Sequence, residues 1–385
     1  MSTAPTASID WRQEWFEIED ATFLNVATQG PMPKTSLRAI QNALEWKKFP
    51  HRIPDTSYFD IPNRVRDLIA KIIHAKPEEV ALTTGASAGA MAVAYNLPWK
   101  SGDEILTAKG EFPLQYTTWK PLEEREGVSV RIIEPTDRYI SADDFIAAMT
   151  PRTRLISASL VRFDNGVRLE AERLAAACHK QGALLLLDVS QCCGAMPLDV
   201  SRLGADFLIC AGYKWLLGPY GTGFFWTRKE QAAAMRPGPF YWMAMEGADK
   251  LSALSIDNPK PVAGSRRWDT PETANYFNLA GLEASLAFVL EAGVETVEAH
   301  NHKLIELLYE RLPKDRCIPA SPLQRERRGP YGCFTARTAE KTRALYRRLE
   351  DENVIVGLRE GRIRISPHLF NTERDIDRVV AVVNG

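Results

Sequence analysis

Three apolar runs in this sequence end in polar residues capable of chemistry. Leu184-Leu185-Leu186-Leu187 runs straight into Asp188, with Ser190 and Gln191 close behind. Leu208-Ile209-Cys210 runs into Ala211-Gly212-Tyr213-Lys214, and Val80-Ala81-Leu82 into Thr83-Thr84-Gly85-Ala86-Ser87. Ligands of open α/β sheets sit outside the carboxyl ends of the strands, so an acid, an amine and a Gly/Ser turn are expected on one edge. Each has a plain structural role when taken alone. An aspartate after a strand caps the next helix, a lysine there is solvated, and the turn is only a tight bend. The turn also lacks the lysine of a phosphate P-loop and does not match GxGxxG, so a nucleotide site is weakly indicated.

The combination is more specific. A strand-end lysine, an aspartate 26 residues earlier at the neighbouring strand end and an anion-binding turn suit pyridoxal 5′-phosphate (PLP). That cofactor needs an amine for its Schiff base, a carboxylate beside its pyridine nitrogen, and N–H groups at a helix N-terminus for its phosphate. The carboxylate keeps the ring nitrogen protonated, so the ring accepts electrons from a carbanion. Lysine suits the amine role because burial readily lowers its pKa.

The elements that must position these residues alternate in type. Val80–Thr84, Glu104–Ala108, Val128–Ile133, Leu155–Val161, Ala183–Leu187 and Asp206–Ala211 read as buried strands, with helical patterns such as Ala142–Met149 and Arg168–Gln181 between them. Buried strands separated by helices mean βαβ units and a mostly parallel sheet. Thr222–Trp226 follows too closely for a crossover helix and is expected to run antiparallel. Arg236 to Pro261 lacks periodicity and reads as a long functional loop. Helices are expected over Asn278–Glu298 and Asn301–Arg311. Strands Tyr331–Arg337, Asn353–Leu358 and Arg362–Ser366 then flank a helix over Glu340–Glu352, with a last helix over Glu373–Val383. The expected fold is α/β: a large domain with a seven-stranded, mostly parallel sheet, plus a smaller C-terminal α+β domain. Residues 1–30 are assigned to an N-terminal arm, 31–265 to the large domain and 266–385 to the small one.

Composition excludes several classes. The 385 residues carry 48 basic and 49 acidic side chains, a net charge of −1, so no global field recruits nucleic acid or an anionic membrane. Six cysteines, two of them adjacent (Cys192, Cys193), are too sparse for a disulfide scaffold. The N-terminus has no apolar signal region, and the aliphatic run Ala183–Leu187 is far short of the roughly 20 residues that span a bilayer. A cytoplasmic protein without nucleic-acid or membrane partners is expected. No metal site is expected: His300 and His302 diverge on a helix, and His179 beside Cys178 stands alone. Arg325, Arg327 and Arg328 read as a solvated loop.

Leu187-Asp188-Val189-Ser190-Gln191 and Gly212-Tyr213-Lys214-Trp215-Leu216-Leu217-Gly218-Pro219-Tyr220-Gly221-Thr222-Gly223 resemble the class V aminotransferase family of fold-type I PLP enzymes. Phe23-Leu24-Asn25 with Gly30-Pro31, Glu111-Phe112-Pro113, Arg266-Arg267-Trp268-Asp269, and Arg364-Ile365-Ser366 with Phe370-Asn371-Thr372 support the resemblance across most of the chain. It implies that Lys214 forms the internal aldimine and Asp188 pairs with the pyridinium nitrogen. Gln191 would bond the phenolic oxygen and Phe112 lie on the ring face. Ala86 and Ser87 would bind the phosphate, and Arg364 would fork an α-carboxylate, with Asn25 on the substrate side. It further implies a homodimer with shared sites, in which Arg267 to Thr270 reaches the partner's phosphate.

The chain departs from the family pattern twice. Many relatives have Ser-x-His-Lys where this chain reads Ala211-Gly212-Tyr213-Lys214, so a phosphate-binding hydroxyl is lost and Tyr213 becomes a candidate phosphate or acid/base contact. Cysteine desulfurases need a loop cysteine shortly before the C-terminal arginine. Here Arg359-Glu360-Gly361 leads directly into Arg362-Ile363-Arg364, and the last cysteine, Cys333, sits in a strand where a buried thiol is expected. The resemblance is therefore to the isopenicillin N epimerase-like and cysteine desulfurase-like branch without the desulfurase cysteine. The expected function is a PLP-dependent enzyme acting on an amino acid or amine-bearing small molecule through an external aldimine and a quinonoid, with aminotransferase as the default. An epimerase or C–S lyase is the alternative, and a non-catalytic PLP-binding homologue is the alternative of another class. The loop Gly238–Ala263, with Phe240, Tyr241, Trp242 and Met243, is expected to shape the substrate pocket.

Overall fold

The computed structural model of the chain describes residues 10–238, 241–250, 253–255 and 257–385. Phe240 and the first nine residues therefore lie outside the described residues. Among the described residues thirteen strands form three sheets. They are β1 (Thr22–Phe23), β2 (Val80–Thr83), β3 (Glu104–Ala108), β4 (Ser129–Ile133), β5 (Thr153–Ser159), β6 (Leu184–Asp188), β7 (Phe207–Ala211), β8 (Gly223–Thr227), β9 (Cys317–Pro319), β10 (Gly332–Ala336), β11 (Val354–Ile355), β12 (Gly357–Arg359) and β13 (Arg362–Ile365).

The large sheet has the order β2-β8-β7-β6-β5-β3-β4, and only β8 runs against its neighbours. Alternation explains the leucine run of β6. Leu185 and Leu187 face one core, with Leu208 and Cys210 of β7, while Leu184 and Leu186 face the other, with Phe207 and Ile209. A strand apolar on both faces must be covered on both faces. The Ser57–Ile73, Ala171–Gln181 and Tyr276–Ala292 helices supply one cover, and the Ala86–Asn96 helix the other. Gly89 lets that last helix sit close, since a Cβ there would meet Ile209 at 2.8 Å.

The second sheet, β12-β13-β10-β9, packs against the Val294–Arg311, Ala339–Asp351 and Glu373–Asn384 helices around Leu304, Phe334, Leu349, Ile363, Ile365 and Val379. The boundary differs from the expected one at 265/266. Asp269 grips Arg66 through a buried two-pronged ion pair (3.1 and 2.8 Å) and accepts from the Leu82 backbone at 2.8 Å, which ties residues 266–270 to β2. The Tyr276–Ala292 helix packs on the Lys34–Lys48 and Ser57–Ile73 helices and belongs to the large body. Its axis breaks at Gly293, held at φ +78°, rather than near residue 299. The arm joins the small domain instead of standing apart. Its β1 pairs with β11, Asn25 bridges Ser366, and Leu24 is buried in the small core. The expected strand Asn353–Leu358 is accordingly split, β11 pairing with the arm and β12 with β13. Among the described residues no single helix is long and apolar enough to cross a membrane.

His368 lies where the arm, the sheet edge and the small domain meet. It is fully buried, 5.7 Å from the Phe370 ring and 6.2 Å from Trp215, with neither ring nitrogen hydrogen-bonded. Burial pushes its pKa from 6.5 down to about 3, with His300 adding to the shift. The unfolded chain therefore binds a proton between those pH values that the folded chain refuses, and stability falls as pH drops through this window. His368→Leu is expected to flatten that fall by up to about 1.4 kcal/mol per pH unit. Urea unfolding of both proteins from pH 7 to 4.5 checks this, and equal slopes would contradict it.

Candidate active site

The carboxyl ends of β2, β6 and β7 converge on a cavity of about 240 Å³. Thr84, Gly85, Ala86, Ser87, Phe112, Asp188, Ser190, Ala211, Tyr213, Lys214 and Tyr220 contribute to its lining. The ends are clamped together: Ser190 Oγ accepts from the Ala211 backbone at 2.9 Å, and the Ser190 backbone donates to Asp188 Oδ1 at 2.8 Å. The Ser190 hydroxyl and the Lys214 charge both act on the Asp188 carboxylate.

Lys214 is 9% exposed, and its Nζ stands 5.5 Å from the Phe112 ring centroid and 5.8 Å from that of Tyr213. Burial pushes its pKa below the usual lysine value against the pull of Asp188, and Arg364 and Arg359 push the same way. Burial likewise raises Asp188 against the pull of Lys214. Desolvation dominates both groups, so each is driven toward its neutral form. A neutral amine is the nucleophilic form of lysine.

The turn after β2 leads into the Ala86–Asn96 helix through Gly85, whose φ of +153° disfavours any L side chain. No side chain caps this helix, so its first N–H groups open on the cavity, as an anion site requires. The space beside the turn is filled to contact. A Cβ on Gly223 would meet the Cys210 carbonyl at 2.3 Å and Gly85 Cα at 2.7 Å.

Phe112 is held from below. The buried Glu111 carboxylate accepts from the Ser159 backbone (3.0 Å) and hydroxyl (2.6 Å) and pairs with Arg162 at 3.2 Å. The Phe112 ring meets Phe163 edge-on at 5.4 Å. Arg162 also pairs with Asp164 (3.3 Å), and Asp164 with Arg362 of β13 (3.1 Å), so charges of alternating sign run from the Phe112 turn to the small domain.

Arg364 ends that path. It is 1% exposed, yet its guanidinium binds only neutral oxygens among the described residues: Phe163 O at 2.9 Å and Thr28 Oγ1 at 2.7 Å. Its Nε has no partner, and its Cζ lies 5.5 Å over the Tyr331 ring. Asn25 Oδ1 accepts from the same Thr28 hydroxyl at 2.7 Å.

The structure thus gathers Lys214, Asp188, Phe112, Ala86, Ser87 and Tyr213 into one cavity, and sets four expected residues outside its lining. Gln191 lies behind it, donating to Ala27 O at 3.1 Å and accepting from Trp215 at 3.4 Å. Arg364 and Asn25 stand on the small-domain side. Thr270 faces a neighbouring cavity with Met91, Tyr95 and Tyr241. None of the described residues of the 238–263 loop lines the lysine cavity, because Tyr241 and Met243 pack against Phe59 instead. Arg328, expected in a solvated loop, is fully buried and donates to Pro322 O (3.0 Å) and Leu323 O (2.8 Å). Sequence reasoning missed Thr28, Phe163, Arg162 and Asp164 as supports, and it named Glu111 only as part of the Glu111-Phe112-Pro113 motif.

The link between β12 and β13 is short. Glu360 and Gly361, with φ of +45° and +73°, form the whole connection between them. All six cysteines are free and buried, and burial pushes the Cys333 thiol up to about 12. No exposed thiol is available there as a sulfur acceptor.

The sequence profile described as Aminotransferase class-V matches residues 23–379. The chain belongs to the class V aminotransferase family. It is 27% identical to isopenicillin N epimerase of Streptomyces clavuligerus over 381 residues, 94% of each chain. It is 26% identical to a probable cysteine desulfurase of Methanothermobacter thermautotrophicus, covering 78% of this chain and 74% of that one. Its fold matches the cystine C–S lyase C-DES, solved with its product cysteine persulfide, at a TM-score of 0.86 and 23% identity, covering 94% of this chain and 97% of that one. Class V enzymes use PLP. The residues here fit that group: an uncapped helix N-terminus, a buried carboxylate and a buried amine share one cavity.

The buried Glu111–Arg162 pair supports the Phe112 turn, and removing one partner of such a pair is costly. Glu111→Leu is expected to destabilise the protein by about 3 kcal/mol, since Arg162 keeps Asp164 as a partner. A loss below about 1 kcal/mol in urea unfolding would contradict this support.

Proposed function

We propose that this chain is a PLP-dependent enzyme acting on an amino acid, with Lys214 as its single proton carrier and transamination as its reaction. One observation carries the reading: Lys214 is the only amine lining the cavity among the described residues, buried and driven toward neutrality. When bound, PLP supplies an electron sink for the pair released at Cα. Asp188 would pair with the ring nitrogen, Phe112 would lie over the ring, and Ala86 and Ser87 would offer N–H groups to the phosphate. Tyr213, whose hydroxyl burial keeps protonated, supplies a donor where Ala211 lacks a hydroxyl. Gln191 steadies Trp215, next to the lysine, and has an amide N–H left for the phenolic oxygen.

On the substrate side Arg364 takes the α-carboxylate, the anion its buried guanidinium lacks. Lys214 Nζ would then take the proton from Cα and deliver it on the same face to the cofactor carbon that bears the amine link, the transfer that transamination requires of a lone base. That favours transamination over an epimerisation that needs acids on two faces. β-Elimination also needs one base, and the fold shared with a C–S lyase makes it the second reading. A non-catalytic role would leave the unpaired Arg364 without a purpose.

Supplying the holoprotein with a panel of amino acids and assaying products separates these readings. Keto acid with pyridoxamine phosphate is expected. Pyruvate and ammonia from β-substituted substrates would replace transamination by elimination, and loss of optical rotation alone would overturn the one-base assignment. Lys214→Ala is expected to abolish turnover, and Arg364→Leu to lower kcat/KM roughly ten- to hundredfold, mostly through KM.

The partner is a second copy of the chain. Thr270 lies outside its own lysine cavity, on a face that also exposes Met91 and Tyr95. Light scattering is expected to give a dimer, and a fully active monomer would contradict the shared site.

A further inference from the structure

The small-domain sheet turns one face toward the large domain. Alternation along β13 sends Ile363 and Ile365 into the small core and sets Arg362 and Arg364 on the opposite face. Register adds β12 to that face, because Arg359 lies opposite Arg362 and Gly357 opposite Arg364. Three arginines therefore crowd one face of a two-stranded hairpin. The one carboxylate that reaches them, Asp164, is taken by Arg362 and Arg162.

Arg359 and Arg364 have no carboxylate partner among the described residues. Both donate to a single oxygen, Thr28 Oγ1, Arg359 Nη2 at 2.9 Å and Arg364 Nη2 at 2.7 Å. Arg359's other described contact is a carbonyl, Leu358 O at 2.9 Å. Two guanidinium groups sharing one neutral acceptor repel each other, and their arrangement is satisfied only when negative charge arrives from outside. The charges also reach the reactive end, since both arginines depress the Lys214 pKa. Their exposure is graded, Arg364 buried and Arg359 half-buried. A small molecule bound through both would place one anion deep and one nearer solvent. Gly357 keeps the deeper group clear, since a Cβ there would lie 3.3 Å from Arg364 Nε and 3.1 Å from Asn25 Oδ1.

We propose that Arg359 is a specificity-determining residue and that the substrate is an amino acid carrying a second acidic group, gripped by Arg359 while Arg364 holds the α-carboxylate. The inference rests on the reading of the cavity as an amino-acid site and names the substrate class that reading left open. Thr28 is the spacer that keeps the two guanidinium groups apart and aimed at separate anions.

Binding rather than turnover tests it. Holoenzyme is titrated with L-glutamate against L-glutamine and with L-aspartate against L-asparagine, following the change in the cofactor absorption band to obtain Kd. At least one acidic ligand is expected to bind tenfold or more tightly than its amide. Arg359→Gln should collapse that ratio to within about twofold, and Arg359→Lys should restore part of it. Equal affinities for acid and amide in the unmodified protein would overturn the proposal. So would a ratio that Arg359→Gln leaves intact, or a uniform loss for acids and amides, which would mean that both arginines share one carboxylate. If no amino acid at all perturbs the band, the amino-acid reading itself fails, a result distinct from undiscriminating binding.

Discussion

Arg364 is a buried cation surrounded by neutral oxygens. Removing a guanidinium from water costs several kcal/mol unless a counter-charge compensates, and here Phe163 O, Thr28 Oγ1 and the Tyr331 ring face offset only part of that cost. Each of these groups comes from a different part of the chain. Thr28 belongs to the arm, Phe163 to the loop after β5, and Tyr331 to the approach to β10. Holding one charge in place therefore requires the arm, the large sheet and the small domain to be assembled together. The same charge lowers the pKa of Lys214, so the small-domain side acts on the amine of the large-domain cavity.

The large sheet supplies the other half of the arrangement. Its strands are apolar on both faces, which leaves their carboxyl ends as the places where polar residues can gather without disturbing a core. Asp188, Ser190 and Lys214 occupy such ends, and the Ser190 hydroxyl binds two of them together. Lateral order comes from close backbone contact at Gly223 and Gly89, where side chains would collide with β7. The path Glu111, Arg162, Asp164, Arg362 joins the two halves electrostatically. The Phe112 turn and the arginine hairpin are thereby held in one frame.

Local features were legible in the sequence. The strands of the large sheet fall within one or two residues of their expected positions, because each is bounded by turn residues and is too apolar to lie anywhere but inside. The antiparallel β8 followed from a connection too short for a crossover. Lys214, Asp188, Ala86, Ser87, Phe112 and Tyr213 share a cavity because strand ends converge, a property of the fold rather than of distant contacts. The short link ahead of Arg362 was equally readable, read as Arg359-Glu360-Gly361 and found as Glu360 and Gly361. Pairings between remote segments were not. The arm strand binds residues more than 300 positions away, so neither the split of the expected Asn353–Leu358 strand nor the arm's place in the small domain has a local signal. Thr28 and Arg359 meet for the same reason. The helix break at Gly293 was misplaced because Glu295 and Glu298 continue a plausible helical pattern on the far side.

The central claim is that Lys214 is the amine that carries the cofactor in this cavity. Borohydride reduction of the yellow holoprotein, followed by proteolysis and mass spectrometry, reads this directly. The phosphopyridoxyl mass is expected on the peptide containing Lys214 and on no other lysine peptide. A label on a different lysine, or a protein that takes up no PLP and acquires no label, would contradict the account.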